Sequence, residues 1–473
     1  MESLNERFER HGQGHVFRHW DHLGEAERAE LAAQAEEIDL DELDGLIASL
    51  VKGEGPSQAV DPAALEPAPY EPLPEDPAAD PVWREARTRG EEALRAGKVA
   101  AFTVSGGQGT RLGYDGPKGA FPVSPVKDKT LFQLFAESVQ AARRRYGCPL
   151  PWLVMTSHAN HERTVAFFEE RGHFGLEPES VIFFRQGRMP AVDFEGRIIL
   201  EAPGRIAMSP DGHGGSLRAL VRSGALGRLR EQGVELLSYF QVDNPLVRPI
   251  DPAFIGFQSL RGSAMSSKMI PKAYPEEKVG HFCLSEGKLV VVEYSDMPEA
   301  LAQERDEGGE LRFRAGSIAI HLIDVGFVAR LADPDSGFAL PFHKAVKKIP
   351  FLASSGRTET PEEPNGIKFE MFVFDALPFA ERPLVLETER LEDFSPVKNA
   401  EGVDSPETAR RDQTERFARW LEAAGQAVPR DEKGAPLQPI EISPLYAPDK
   451  EAFLERFARE RPEIDFSKPA YLE

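Results

Sequence analysis

Four glycines crowd the stretch Ser105-Gly106-Gly107-Gln108-Gly109-Thr110-Arg111-Leu112-Gly113, and Pro117-Lys118 follows closely. Glycines leave backbone N–H groups unobstructed by Cβ, so several can converge on one polyanion. Arg111 and Lys118 add fixed positive charge at the same place. The apolar run Val99–Val104 just before the loop reads as a buried strand. A strand feeding such a loop is how α/β sheets build nucleotide sites at the carboxyl ends of their strands. The spacing excludes the commoner phosphate loops. Lys118 precedes Gly119 with no hydroxyl residue after it, so this is not a Walker A sequence, and Leu112 occupies the third glycine position of a dinucleotide fingerprint. The chemistry expected is capture of a phosphate-rich nucleotide.

The elements that must position this loop are set by an ordinary globular composition. The 473 residues are 41% hydrophobic and 28% charged, enough for two or three domains. Against 78 acidic residues stand 56 basic ones, a net charge of −22, which disfavours nucleic acid and anionic membranes as partners. Cys148 and Cys283 lie far apart without metal-binding spacing, which predicts a reducing, cytoplasmic setting. No N-terminal signal region and no apolar run of about 18 residues is visible, so no membrane partner is expected.

Periodicity predicts an α/β protein with a central mixed, mostly parallel nucleotide-binding sheet flanked by helices. An N-terminal helical region and proline-rich connection would span residues 1–84, the central domain 85–403, and a small C-terminal lobe 404–473. Between Gly53 and Trp83 there is no Lys or Arg and proline recurs, which reads as an extended connection. Strands are expected at 99–104, 152–156, 181–184, 235–242 and, returning, 288–294. Thr130-Leu131-Phe132-Gln133 reads as a capping box opening a helix.

Further segments carry chemistry: Arg185-Gln186-Gly187, Pro210-Asp211-Gly212-His213-Gly214-Gly215, Val242-Asp243-Asn244, Val292-Glu293-Tyr294-Ser295, Asn365-Gly366-Ile367-Lys368-Phe369-Glu370 and Phe394-Ser395-Pro396-Val397-Lys398-Asn399-Ala400. In this order, with the glycine loop and Gly12-Gln13-Gly14-His15-Val16-Phe17-Arg18-His19-Trp20, they closely resemble the eukaryotic-type UDP-N-acetylhexosamine pyrophosphorylases. That family lies within the UTP:sugar-1-phosphate uridylyltransferases, and the resemblance covers nearly the whole chain.

The resemblance implies uridylyl transfer from UTP to a sugar 1-phosphate, N-acetylglucosamine 1-phosphate favoured, by direct in-line displacement with release of pyrophosphate and Mg2+ as cofactor. It implies that Val104, Ser105, Gly106 and Gly107 lie along the uridine and its phosphates, while Arg111 and Lys118 hold the triphosphate. Gln186 and Gly212 match readers of the uracil edge. Asp243, at the end of an apolar strand, matches a nucleotide and Mg2+ ligand, a hard carboxylate of the kind this ion accepts. Lys368 and Lys398 match phosphate-facing lysines, Lys398 nearest the sugar phosphate. Glu293 and Tyr294 match sugar contacts.

Two positions depart from the family pattern. His213 and Ser317 each stand where the N-acetylglucosamine enzymes carry asparagine, and His213 is more like the UDP-glucose or broad UDP-sugar branch. A glucose- or galactose-1-phosphate uridylyltransferase is therefore the alternative within the class. A non-catalytic nucleotide-sugar-binding protein is the alternative outside it, and retention of Arg111, Lys118 and Lys398 weighs against it.

Overall fold

The computed structural model describes residues 3–53, 61–332 and 339–473. The chain groups by space rather than by order. One unit comprises Met1–Ala59, Gln186–Arg218 and Ala339–Asp375, and the other comprises Val60–Arg185, Ala219–Phe338 and Ala376–Glu473.

The second unit is built on a ten-stranded mixed sheet. Its strands are β1 (Leu65–Pro67), β2 (Val99–Val104), β3 (Trp152–Thr156), β4 (Val181–Arg185), β5 (Leu236–Gln241), β6 (Met265–Pro271), β7 (Gly280–Ser285), β8 (Lys288–Val292), β9 (Ala315–Asp324) and β10 (Leu384–Glu387). Four run parallel in the order β5-β2-β3-β4. β9 joins β5 antiparallel and extends the sheet to β6 and β7, and β10 runs parallel to β6. β2 and β3 are almost wholly buried, which is why they read as unbroken apolar runs rather than alternating ones. A continuous core including Leu131, Phe135, Val139, Trp152, Phe168, Phe240 and Phe254 packs against the sheet. The helices Pro81–Arg95 and Pro252–Arg261 cross in close contact, because a Cβ on Gly90 would lie 1.8 Å from Pro252 O and one on Gly256 1.6 Å from Ala86 O. Phe417, Trp420, Ile440, Tyr446 and Phe453 form a satellite cluster nearer the C-terminus.

The first unit holds the helices Leu4–Arg10, Glu25–Glu36 and Leu40–Leu46 and, among the described residues, four small antiparallel pairs, two of which frame the site. Arg188–Pro190 pairs with Met208–Pro210, and Phe342–Lys347 pairs with Gly366–Met371. Phe8, Leu31, Leu43, Met189, Ile367 and Phe369 share its core.

Three local expectations change. Thr130 caps its helix by accepting Gln133 N–H, but the Gln133 side chain turns to Glu137 rather than back to Thr130, so the box is half made. The proline-rich connection contains a strand, β1, paired antiparallel with β7. That extended connection ends before Trp83, because a helix begins at Pro81 where the Asp80 carboxylate accepts the N–H groups of Val82 and Trp83.

Candidate active site

β2 has β3 on one side and β5 on the other, so the chain turns away in opposite directions from its carboxyl end. Such a switch point opens a crevice where a ligand can meet backbone N–H groups. The glycine loop leaves β2 here and Asp243 leaves β5 beside it. Ser105 N–H bonds Met155 O at 2.8 Å and Val242 N–H bonds Val104 O at 3.1 Å, so loop and carboxylate start from neighbouring rungs.

The loop is closed on itself. Gly109 N–H bonds Gly116 O at 2.9 Å and Lys118 N–H bonds Gly107 O at 3.1 Å. Asn160, fully buried, stitches it from outside. Its Nδ2 donates to Ser105 O at 2.9 Å and Gly107 O at 3.2 Å, while its Oδ1 accepts Ser157 N–H at 2.8 Å. Gly109 and Gly116 are needed for packing, since a Cβ on either would come within 2.7 Å of the Tyr114 ring. Lys118 Nζ lies 3.7 Å from Asp243 Oδ2, both side chains mostly buried. Arg111 is exposed on the loop.

The late segment joins the same place. Val397 N–H bonds Asp243 O at 2.8 Å, and Asp404 O accepts Lys398 N–H at 2.7 Å and Asn399 N–H at 3.0 Å. Residues 394–397 are buried, and Lys398 Nζ sits 5.9 Å from the Phe394 ring centre. Burial pushes the Asp404 carboxyl up; Lys398 pulls it back and Asp243 adds to the rise. Sequence reasoning passed over the Asp404 carboxylate and the Asn160 carboxamide, and it singled out Asn244 only as the neighbour of Asp243.

On the antiparallel side, Ser317 of β9 pairs in register with Gly280 and Met269. A Cβ on Gly280 would stand 3.6 Å from Glu293 Oε1, so Glu293 and Ser317 flank one glycine. Tyr294 is exposed beside them in sequence. The β6–β9 register shifts between Ser267 and Met269, and Ala319 takes a left-handed φ of 55° opposite the shift. A bulge of this kind re-aims the side chains flanking it, Ser317 among them. Nearby, Lys272 Nζ contacts His281 Nε2 at 2.5 Å, and burial followed by Lys272 pushes His281 down to about 4.

The first unit assembles Gln186, Gly212, His213 and Lys368 around the strand Gly366–Met371. Gln186 Nε2 donates to Gly212 O at 2.6 Å. Gly212 has φ 82°, and a Cβ there would meet Met371 O at 2.3 Å, so only glycine fits. Ile367 and Phe369 face the core, leaving Lys368 and Glu370 half-exposed on the opposite face. His213 stacks on Phe372 at 5.4 Å, and its Nδ1 accepts Val373 N–H at 3.2 Å. Burial, then His343, pushes it down to about 4, so the neutral ring carries its proton on Nε2.

Among the described residues no group of three or more His, Cys, Asp or Glu could enclose a metal ion. Asp243, one hard oxygen donor beside a lysine, fits Mg2+ that arrives with substrate phosphates and water, and does not fit a protein cage. No helix among the described residues is long and apolar enough to cross a membrane.

A family model, UTP–glucose-1-phosphate uridylyltransferase, matches residues 52–404. The chain is 38% identical to UDP-N-acetylhexosamine pyrophosphorylase-like protein 1 of Homo sapiens, covering 94% of this chain and 92% of that one. It is 34% identical to the UDP-N-acetylglucosamine pyrophosphorylase of Saccharomyces cerevisiae, covering 90% and 92% respectively. Its fold is similar to the crystal structure of the uridine diphosphate N-acetylglucosamine pyrophosphorylase from Trypanosoma brucei in complex with inhibitor, with TM-score 0.82, 28% identity and coverage of 99% and 97%.

Proposed function

The chain belongs to the UTP–glucose-1-phosphate uridylyltransferase family, and from that premise we propose that this nucleotidyltransferase joins UTP to N-acetylglucosamine 1-phosphate, giving the UDP-sugar and pyrophosphate. The observation that carries the reading is the meeting of the glycine loop, Lys118, Asp243 and the Lys398 segment at one switch point. Two free, buried cysteines support a reducing compartment, the cytoplasm.

A sugar-phosphate oxygen attacks the α-phosphorus of UTP in line as the bond from that phosphorus to the bridging oxygen of pyrophosphate breaks. Little covalent work falls to side chains, so catalysis rests on positioning and on charge placed where it develops. Val104 and Ser105 lie along the uridine and its phosphates, and Gly106 and Gly107 bring their backbones close to the phosphates. Arg111 and Lys118 take up charge on the departing pyrophosphate, Lys398 orients the incoming phosphate, and Lys368 adds a further cation. Gln186 and Gly212 read the uracil edge, where a carboxamide supplies both donor and acceptor. Glu293, Tyr294, His213 and Ser317 meet the sugar. Asp243 would hold Mg2+, which supplies electrostatic neutralisation of the phosphates.

A second reading is favoured by His213 and Ser317, which lack the carboxamide of asparagine: glucose or galactose 1-phosphate as the acceptor. Pyrophosphate release from UTP, measured against a panel of sugar 1-phosphates with and without Mg2+, tests both. Fastest turnover with N-acetylglucosamine 1-phosphate supports the first reading, fastest turnover with an unacetylated hexose 1-phosphate replaces it, and no release with any sugar refutes transferase activity.

A further inference from the structure

Next to Asp243 lies a carboxamide with no substrate role. Asn244 is 4% exposed. Its Nδ2 donates to Asp393 O at 2.6 Å, and its Oδ1 accepts Ser395 N–H at 3.1 Å and Leu246 N–H at 3.2 Å. The main chain adds Val397 N–H to Asp243 O at 2.8 Å. Three bonds therefore fasten the peptide carrying Lys398 to the peptide carrying Asp243.

The far end of that fastening is staked as well. The fully buried Asp393 carboxylate takes Arg248 Nε at 3.0 Å, Arg248 Nη2 at 2.7 Å, Lys268 Nζ at 2.8 Å and the Thr388 hydroxyl. Lys268 Nζ also bonds Asp251 Oδ2 at 2.6 Å. Burial alone would raise the Asp393 carboxyl; Arg248 and Lys268 hold it well below the usual range. Buried ion clusters add little net stability over apolar packing of the same volume, whereas they fix geometry well. Here the fixed point is the residue immediately before the segment that ends in Lys398.

We propose that Asn244 is a positioning residue for the transfer step. It sets the register between Asp243, on the nucleotide side, and Lys398, on the sugar-phosphate side, with the Arg248–Lys268–Asp251–Asp393 cluster as its anchor. The inference rests on the uridylyltransferase reading. A misplacement of about 1 Å at a reacting group costs on the order of a hundredfold in rate, so a clamp this close to both groups acts on turnover.

The test measures kcat, both KM values and the melting temperature for the wild type, Asn244→Ala, Lys398→Ala and the double variant. The expected result is a kcat loss of roughly ten- to hundredfold in Asn244→Ala with the UTP KM within about threefold. The double variant is expected to be no slower than Lys398→Ala alone, because the clamp acts through that lysine. Wild-type kcat in Asn244→Ala, with or without a lower melting temperature, overturns the inference, and so do losses that multiply in the double variant. Should Asn244→Ala fail to fold, Asn244→Ser carries the same test, since its hydroxyl can still accept Leu246 N–H while losing the reach to residues 393 and 395. An inert wild type refutes the uridylyltransferase reading and the inference with it, whereas an active wild type with an unaffected variant refutes the inference alone.

Discussion

Arg111 is exposed and Lys118 is mostly buried 3.7 Å from Asp243, so the two cations of the glycine loop hold their charge differently. Lys118 is already ordered, while Arg111 gives up rotamer freedom of roughly 2 kcal/mol only when a ligand arrives. Replacing Arg111 with Ala is expected to cut turnover at least about tenfold, some 1.4 kcal/mol of barrier, with an unchanged melting temperature. Lys398→Ala is expected to lose at least about as much. A near-normal rate in either purified variant removes that residue from the catalytic set. At the sugar end, His213 and Ser317 make a paired prediction. Placing Asn at both positions is expected to raise kcat/KM for N-acetylglucosamine 1-phosphate relative to glucose 1-phosphate, because a carboxamide offers a donor and an acceptor that serine and a neutral imidazole cannot duplicate. An unchanged ratio locates sugar selection elsewhere.

At the scale of elements, the glycine loop owes its shape to Asn160 as much as to its glycines. Asn160→Ala leaves the carbonyl of buried Ser105 without its side-chain donor, a cost of about 2 kcal/mol, and leaves the Gly107 carbonyl to Lys118 N–H alone. The loosened loop is expected to raise the UTP KM and to speed trypsin cleavage after exposed Arg111. Cleavage at the wild-type rate would mean that the loop holds itself. Here also lies the boundary of what the sequence made legible. β2 and β3 were readable residue for residue, because a fully buried parallel strand is an unbroken apolar run with turn residues at its end. The glycine loop, Asp243 and Lys398 were legible as candidates because the segments that carry them follow one another in the order of the family resemblance. The bonding roles of Asn160 and Asn244 were not, since each works through bonds to residues distant in sequence and looks locally like a turn or cap. The strand at Leu65 was hidden for a similar reason: nothing local distinguishes a three-residue edge strand from extended proline-rich chain.

For the molecule as a whole, two histidines tie stability to acidity. His213 and His281 fall from the ordinary 6.5 to about 4, burial being the leading cause in each. The unfolded chain takes up these protons near pH 6.5 and the folded chain only near 4, so their contribution is full above 6.5 and drains away as pH falls toward 4. With both histidines contributing, the denaturation free energy should drop by up to about 2.7 kcal/mol per pH unit within that window. Urea midpoints at successive pH values check this, and a flat profile over the window would show that neither ring is protected from protonation.

The pairing of Leu65–Pro67 with β7 has one more effect. It sets Pro67 opposite Cys283, a thiol with no exposed surface whose ionisation burial pushes up to about 12. A thiolate is the reactive form, so this sulfur stays inert toward alkylating agents while the short strand is docked. Leu65→Asp should undock the strand and make Cys283 react with a maleimide in the native protein. The chain therefore carries its own chemical gauge of whether its proline-rich tether is seated.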